Sequence, residues 1–395
     1  MDRRPEPPTA REILTMLWRD DVVPSRPGPS TVTYTALPRW DRATVLVPHP
    51  PRVAAAVLRV AGSSPTRRGH LRGQLAGGAA RAGALRVTGA RVRVAQGDPG
   101  SSMVSRMADE LDADVLAGVH LGPPRANRKP VLQLVAPGGR TVGFGKVGID
   151  PLTQDRVLAE TRALGALRER LRGALRAPEL LTAGRWAGHA YAVTAPVPLA
   201  GRVRSPSPAR YEGALQDLVA AWPVHRQPLD EAPWWRDLRA AIAALTGPEA
   251  TWLRTAAERV ERLAGDRLLL LGASHGDWSP WNCAVLDHAV VAWDWERFDP
   301  HRPVGVDALH FSVQAVARLE GRGPLQAVAG IAERSGTLVA GNGAAADDGP
   351  LVAALYLLER GLRFVADGQA VAGARKGPVE AWLRPGLETL VEGFR

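Results

Sequence analysis

Residues 268–311 read LLLLGASHGDWSPWNCAVLDHAVVAWDWERFDPHRPVGVDALHF. An apolar strand, Leu268 to Leu271, runs into a polar loop that holds His275, Asp277 and Asn282. Two short apolar runs follow, Cys283 to Leu286 and Ala289 to Trp293. They are joined at Asp287-His288, residue types that tolerate the left-handed backbone of a tight turn, so an antiparallel hairpin is expected. Such pairing puts Asn282 beside Asp294 at the open end, with Asp277 in the adjoining loop. An amide oxygen and a carboxylate held close together are hard oxygen ligands suited to Mg²⁺ bound with a polyphosphate.

The same letters contain a rival. Gly272-Ala273-Ser274-His275-Gly276 fits the G-x-S-x-G elbow of a serine hydrolase after an apolar strand, with Asp294 and His310 following in triad order. An elbow must turn straight into a helix, yet Asp277-Trp278-Ser279-Pro280-Trp281 supplies a proline and turn formers, and a hairpin comes next. The acid also follows the serine too soon for the further strand-helix units of that fold. Context decides against Ser274 as a nucleophile.

The stretch resembles the aminoglycoside phosphotransferase and choline kinase group, which shares the protein-kinase-like fold. His275, Gly276, Asp277 and Asn282 match its His-Gly-Asp-x-x-x-x-Asn catalytic loop, and Asp294, Trp295 and Glu296 match its Asp-Trp-Glu motif. Asp299-Pro300 and Asp307-Ala308-Leu309 are similar to later elements of the group. The resemblance implies an α+β, bilobal fold with an antiparallel-sheet N-lobe and a helical C-lobe. It also implies transfer of the γ-phosphoryl of ATP or GTP to a hydroxyl of a sugar, amino alcohol, aminoglycoside-like compound or other metabolite. On that basis Asp277 orients or deprotonates the hydroxyl, and Asn282 and Asp294 hold Mg²⁺. His275 is a catalytic-loop candidate that braces the loop or carries a proton, bracing being preferred because Asp277 covers the acid-base task, while Asp307 caps the next helix and pins the loop from below. Glu296 either supports the metal or pairs with an arginine. Read without the resemblance, Asp287, Asp299 and Asp307 are ordinary turn formers or caps.

A chain of 395 residues exceeds one ordinary core. Its formal charge of +10 would suit nucleic acid or phosphate partners. The basic residues are scattered singly among Ala, Arg, Gly and Pro, without a basic run or interleaved aromatics, so a solvated surface is expected and no specific nucleic acid. Cys283 is the only cysteine, which excludes an intrachain disulfide and a cysteine zinc cluster. The first residues carry acids and prolines where a signal peptide needs an apolar core, and no run approaches membrane-spanning length. A cytoplasmic location is the expectation.

In chain order, residues 1–105 read as an accessory α/β segment that the resemblance does not cover. Residues 106–196 read as the nucleotide-binding lobe, and 197–395 as the helical lobe with the catalytic loop and acceptor pocket. The loop Gly122 to Lys129 lacks the G-x-G-x-x-G of a kinase phosphate loop, leaving Arg125, Arg128 and Lys129 as side-chain phosphate contacts or as an exposed hairpin tip. That departure also permits a catalytically inactive nucleotide-binding protein. Lysine occurs only at 129, 146 and 376. Lys146 in an apolar strand therefore suggests a compact charge on phosphate oxygens, and Glu160 on the following helix stands where the group's glutamate pairs with that lysine. Thr194 and Ala195, before Pro196, are the candidates for holding the adenine edge. Trp278, Trp281 and Trp382 are either stacking surfaces for an acceptor or core.

Overall fold

The computed structural model describes residues 8–19, 22–23, 31–61, 67–87, 91–95, 100–122, 128–197, 202–203, 206–318, 320–321, 323–367 and 379–394. The chain divides into two compact units: residues 1–162 with 178–197, and residues 163–177 with 198–395. Arg125 lies outside the described residues, as does most of the expected phosphate loop. Among the described residues no helix is long and apolar enough to cross a membrane.

The first unit is built on one nine-stranded antiparallel sheet. Its strands are β1 (Val22–Val23), β2 (Thr31–Leu37), β3 (Val45–Pro48), β4 (Arg91–Ala95), β5 (Leu116–His120), β6 (Val131–Val135) and β7 (Thr141–Val147). After β8 (Leu175–Arg176), which belongs to the second unit, come β9 (Leu180–Trp186) and β10 (His189–Thr194). The order is β1-β4-β2-β3-β5-β6-β7-β10-β9. Sequence reading draws a line near residue 105, but the sheet runs across it, because β3 pairs with β5 through Val45↔His120 and Leu46↔Val119. Side chains alternate across a strand. Leu46 accordingly packs with α1 (Ala10–Trp18) and α4 (Met103–Glu110), while Val45 and Val47 pack with α2 (Pro51–Ala61) and α3 (Arg67–Arg81). The β9-β10 turn, Ala187-Gly188, has φ of 49° and 84°, the left-handed pair that matches hairpin twist.

The unit also contains most of α5 (Pro151–Arg170), whose start is fixed by Thr153 and Asp150: the Thr153 amide donates to Asp150 Oδ1 at 2.8 Å, and the Asp150 amide donates to Thr153 Oγ1 at 3.0 Å.

The second unit is mainly helical: α6 (Pro208–Ala220), α7 (Pro233–Ala243), α8 (Pro248–Ala264), α9 (Val306–Arg318), α10 (Pro324–Ala340), α11 (Gly349–Ala366) and α12 (Val379–Glu392). Two small sheets carry the site. β11 (His225–Pro228) and β15 (Asp299–Pro303) flank β12 (Leu268–Ser274), and β13 (Cys283–Val285) pairs with β14 (Val290–Ala292), which runs parallel to β8. The make-up of the two units, one sheet-based and one mainly helical, is α+β. Every residue of α11 from Leu351 to Leu358 is buried, so this helix is apolar all round and forms the axis of the core. Its next turn is charged. There Glu359, also buried, takes Arg302 of β15 at 3.1 Å and Arg363 one turn on.

Glu359 is pulled down to about pKa 2; burial alone would raise it, and the charges of Arg302 and Arg363 outweigh burial. Glu359→Gln leaves two buried guanidiniums without their shared anion. A loss of about 3–5 kcal/mol is expected, read as a lower urea midpoint at unchanged slope. The carboxylate's contribution is complete above its ordinary value of 4.5 and lost as pH falls toward about 2. Parent and variant stabilities therefore converge on acidification, and equal midpoints at neutral pH would refute the assignment.

Candidate active site

The site grows from the end of β12. Beyond Ser274 the chain leaves its sheet and passes over the first turn of α9, where Asp307 faces two backbone amides. The His275 amide donates to Asp307 Oδ2 at 2.6 Å and the Gly276 amide to Oδ1 at 2.9 Å. Gly276 has φ +77°, and a Cβ there would stand 2.4 Å from the Arg297 carbonyl, so only glycine fits. Its own carbonyl accepts from Arg363 Nη1 at 2.6 Å. Helix α9 thus holds the loop from one side and α11 from the other.

Both ring nitrogens of His275 are occupied. Nδ1 accepts from the Asp277 amide at 3.2 Å, which leaves Nε2–H to donate to the Trp293 carbonyl at 3.0 Å. Trp278 and Trp295 pack against the ring at 5.7 and 4.3 Å between centroids. This histidine ties the loop to the hairpin, and no nitrogen is left over for proton transfer. Trp278 is fully buried in the core, and Trp382, partly buried, packs on Phe364 at the core's margin.

Asp277 is half-buried and holds three contacts. Oδ2 accepts from Asn282 Nδ2 at 3.0 Å; Oδ1 lies 3.1 Å from His310 Nε2 and 3.8 Å from Arg360 Nη1. Burial would raise its pKa, but the contact with His310 and the charges of Arg360 and Arg363 hold it well below the usual carboxylate range. His310 is fully buried. Burial, together with the charge of Arg360, lowers its pKa below 6.5, so it is neutral at neutral pH. Its Nδ1 is 3.0 Å from the hydroxyl of Tyr356, which burial pushes up to about 12 and so keeps protonated. Tyr356 therefore donates to Nδ1, which puts the ring proton on Nε2, 3.1 Å from Asp277 Oδ1 but off the line of a well-formed hydrogen bond. Sequence reading met His310 only as a hydrolase residue and missed this role. Its spacing of three from Asp307 on α9, which puts both on one helix face, was the available signal. Arg360 and Arg363 were missed too, although charges directly after the apolar run of α11 set them apart. Ser274 Oγ is buried with no hydrogen bond, and the imidazole of His310 approaches Asp277 at 3.1 Å and bonds to Tyr356 instead.

The hairpin has the expected strands and turn, but Asn282 is not directly opposite Asp294. Cys283 pairs with Ala292, so Asn282 stands opposite Trp293, whose amide donates to the Asn282 carbonyl at 2.9 Å. Asp294 comes one residue later, with φ +66°, a left-handed value that aspartate tolerates. The Asp287-His288 turn, by contrast, has no positive φ. With its nitrogen spent on Asp277, the Asn282 side chain has its oxygen left for a cation. Asn282 and Asp294 give one amide oxygen and one carboxylate, and among the described residues no cluster of three His, Cys, Asp or Glu forms a metal cage. That donor set fits Mg²⁺, which binds through one or two protein oxygens and completes its shell with phosphate and water. Glu296 is half-buried two residues beyond Asp294.

In the first unit, Lys146 of β7 donates from Nζ to both oxygens of Glu160 on α5, at 2.6 and 2.7 Å; the two side chains are 15% and 4% exposed. The other expected nucleotide contacts differ. Arg128 spends Nε on the Leu121 carbonyl (3.0 Å) and Nη2 on the Ala43 carbonyl (2.9 Å), because strand ends leave carbonyls that need donors. The Ala195 amide donates to the Glu179 carbonyl at 2.8 Å, and Thr194 pairs with Phe144 on one side and Leu180 on the other. Ala195 therefore offers its carbonyl, not its amide.

No protein-family model matches the chain, and no curated protein matches it. Solved structures of similar fold exist at low sequence identity. A thermostable mutant of aminoglycoside phosphotransferase APH(4)-Ia in its apo form is 15% identical, covering 73% of this chain and 97% of its own, with a TM-score of 0.45. Amicoumacin kinase hAmiN, in complex with AMP-PNP, Ca²⁺ and Ami, is 11% identical, covering 67% and 86%, at 0.43. A choline/ethanolamine kinase family protein from Mesorhizobium loti is 19% identical, covering 67% and 89%, at 0.38.

Proposed function

We propose that this chain is a Mg²⁺-dependent phosphotransferase that moves the γ-phosphoryl group of ATP or GTP to a hydroxyl of a small molecule in a reducing cytoplasm. The observation that carries the reading is the state of Asp277. It is an ionised, half-exposed carboxylate oriented by Asn282 and His310 on a loop fixed by Asp307. A hydroxyl donating to Asp277 is positioned for in-line attack. Its proton passes to Asp277 late, because a carboxylate of such low pKa is a weak base, and a loose phosphoryl-transfer transition state asks for orientation more than base strength. Lys146, steered by Glu160, places a compact charge on nucleotide phosphate oxygens. Asn282 and Asp294 would hold Mg²⁺, which when bound would supply positive charge against the transferring phosphates. Ala195 offers a carbonyl to the base of the nucleotide. An inactive nucleotide binder is disfavoured, since Asp277, Asn282 and Asp294 are all present.

Asp294→Ala is expected to abolish the tightening of nucleotide binding by Mg²⁺ while leaving the fold intact; unchanged Mg²⁺ dependence in calorimetric titrations would sink the metal assignment. Asp277→Asn is expected to keep nucleotide affinity and lower turnover by about 10²- to 10⁴-fold. Lys146→Met should weaken both, and Lys146→Arg should rescue little. Parent-like nucleotide binding in Lys146→Met would remove this lysine from the site. With Asp277 ionised throughout and His310 neutral above 6.5, kcat/KM should be flat from there to about pH 8. An inflection inside that window that disappears in His310→Gln would contradict the protonation states given above.

A further inference from the structure

Arg360 differs from its neighbours. It is 24% exposed, and its ion-pair contact among the described residues is the 3.8 Å approach of Nη1 to Asp277 Oδ1; no hydrogen bond uses its donors. The other guanidiniums in this corner are more deeply buried, each side chain 10% exposed. Arg363 serves the Gly276 carbonyl and Glu359, and Arg297 serves Asp367 at 2.8 Å; Arg302 lies 3.1 Å from Glu359 and 3.6 Å from Asp299, with its Nε and Nη1 buried without hydrogen bonds. A guanidinium presents five donors in a planar fork that matches the oxygens of a carboxylate or phosphate, and burying most of it without partners is unfavourable.

Resting on the phosphotransfer reading above, we infer that the acceptor is a hydroxylated anion whose carboxylate or phosphate oxygens are bound by Arg360 while its hydroxyl is held by Asp277. An anion at hydrogen-bond distance from Arg360 and a hydroxyl at such distance from Asp277 are at most about 10 Å apart, which is the span of one small hydroxy acid or sugar phosphate. The same geometry works against a polycation. An ammonium brought to this corner finds Glu359 and Asp367 buried and already paired, and must share Asp277 with Arg360 and His310. Arg360 is therefore a specificity-determining residue that admits anionic acceptors and repels cationic ones.

The test is calorimetry on the full chain saturated with Mg²⁺ and AMP-PNP, titrated with sodium malonate, sodium sulfate or spermidine. Nucleotide binding is titrated first, in parent and variants. Its failure sinks the phosphotransfer reading and is seen separately from the oxyanion result, which is then read on nucleotide-free protein. Saturable binding of an oxyanion is expected, weakened about tenfold or more in Arg360→Gln and less in Arg360→Lys, at unchanged AMP-PNP affinity. The lysine variant keeps the charge, so it reports even if the glutamine variant unfolds. Tighter malonate marks a carboxylic acid acceptor; tighter sulfate marks a phosphate ester. Oxyanion binding that is absent, or equal in parent and Arg360→Gln, overturns the inference, and so does spermidine binding that Arg360→Gln strengthens.

Discussion

One carboxylate fixes the geometry of the catalytic loop. Asp307 takes the amides of His275 and Gly276, and from that grip the chain can leave β12 at a sharp angle and present Asp277 sideways. Bonds from amides to an ionised acceptor are stronger than neutral ones and strengthen further away from water. The requirement propagates. Gly276 must be glycine, Arg363 must cover the carbonyl that the turn exposes, and Glu359 must be present to balance Arg363 and Arg302. Polar order at the surface of the site is thus bought by a charged layer set directly on the apolar axis of α11.

That layer explains why Asp277 keeps so low a pKa despite its partial burial. Two arginines and a histidine surround it, yet the histidine is neutral and the nearer arginine stops at 3.8 Å. The carboxylate stays charged without being sealed in a tight ion pair, and so remains open to a hydroxyl donor. His310 performs the complementary task. Bonded to Tyr356, it stands 3.1 Å from one carboxylate oxygen while Asn282 hydrogen-bonds the other.

How much of this the sequence disclosed depended on the range of the interaction. The strand, loop and hairpin from Leu268 to Trp293 are local and follow from apolar runs and turn formers, and the rarity of lysine singled out Lys146. The hairpin register was legible from the turn: with Asp287 and His288 between the strands Leu286 faces Ala289, so Asn282 meets Trp293 and Asp294 follows one residue later. β15 was invisible: Asp-Pro-His-Arg-Pro has neither alternation nor β-formers, and it is a strand only because β12 offers it an edge. The fates of Arg128 and Ala195 were equally hidden, since carbonyls distant in the chain or across a sheet consume their donors or amides.

The continuity of the nine-stranded sheet has a practical side. β5 is covered along one edge by β3, and the apolar layer beneath it includes residues of α1 and β2. A chain cut near residue 105 would leave the edge of β5 that pairs with β3 bare and remove the α1 and β2 residues from its apolar layer. Such an edge is a template for pairing with other copies. The described strands and helix of this stretch thus complete the sheet edge and its apolar layer, and trimming them would trade a covered edge for an adhesive one.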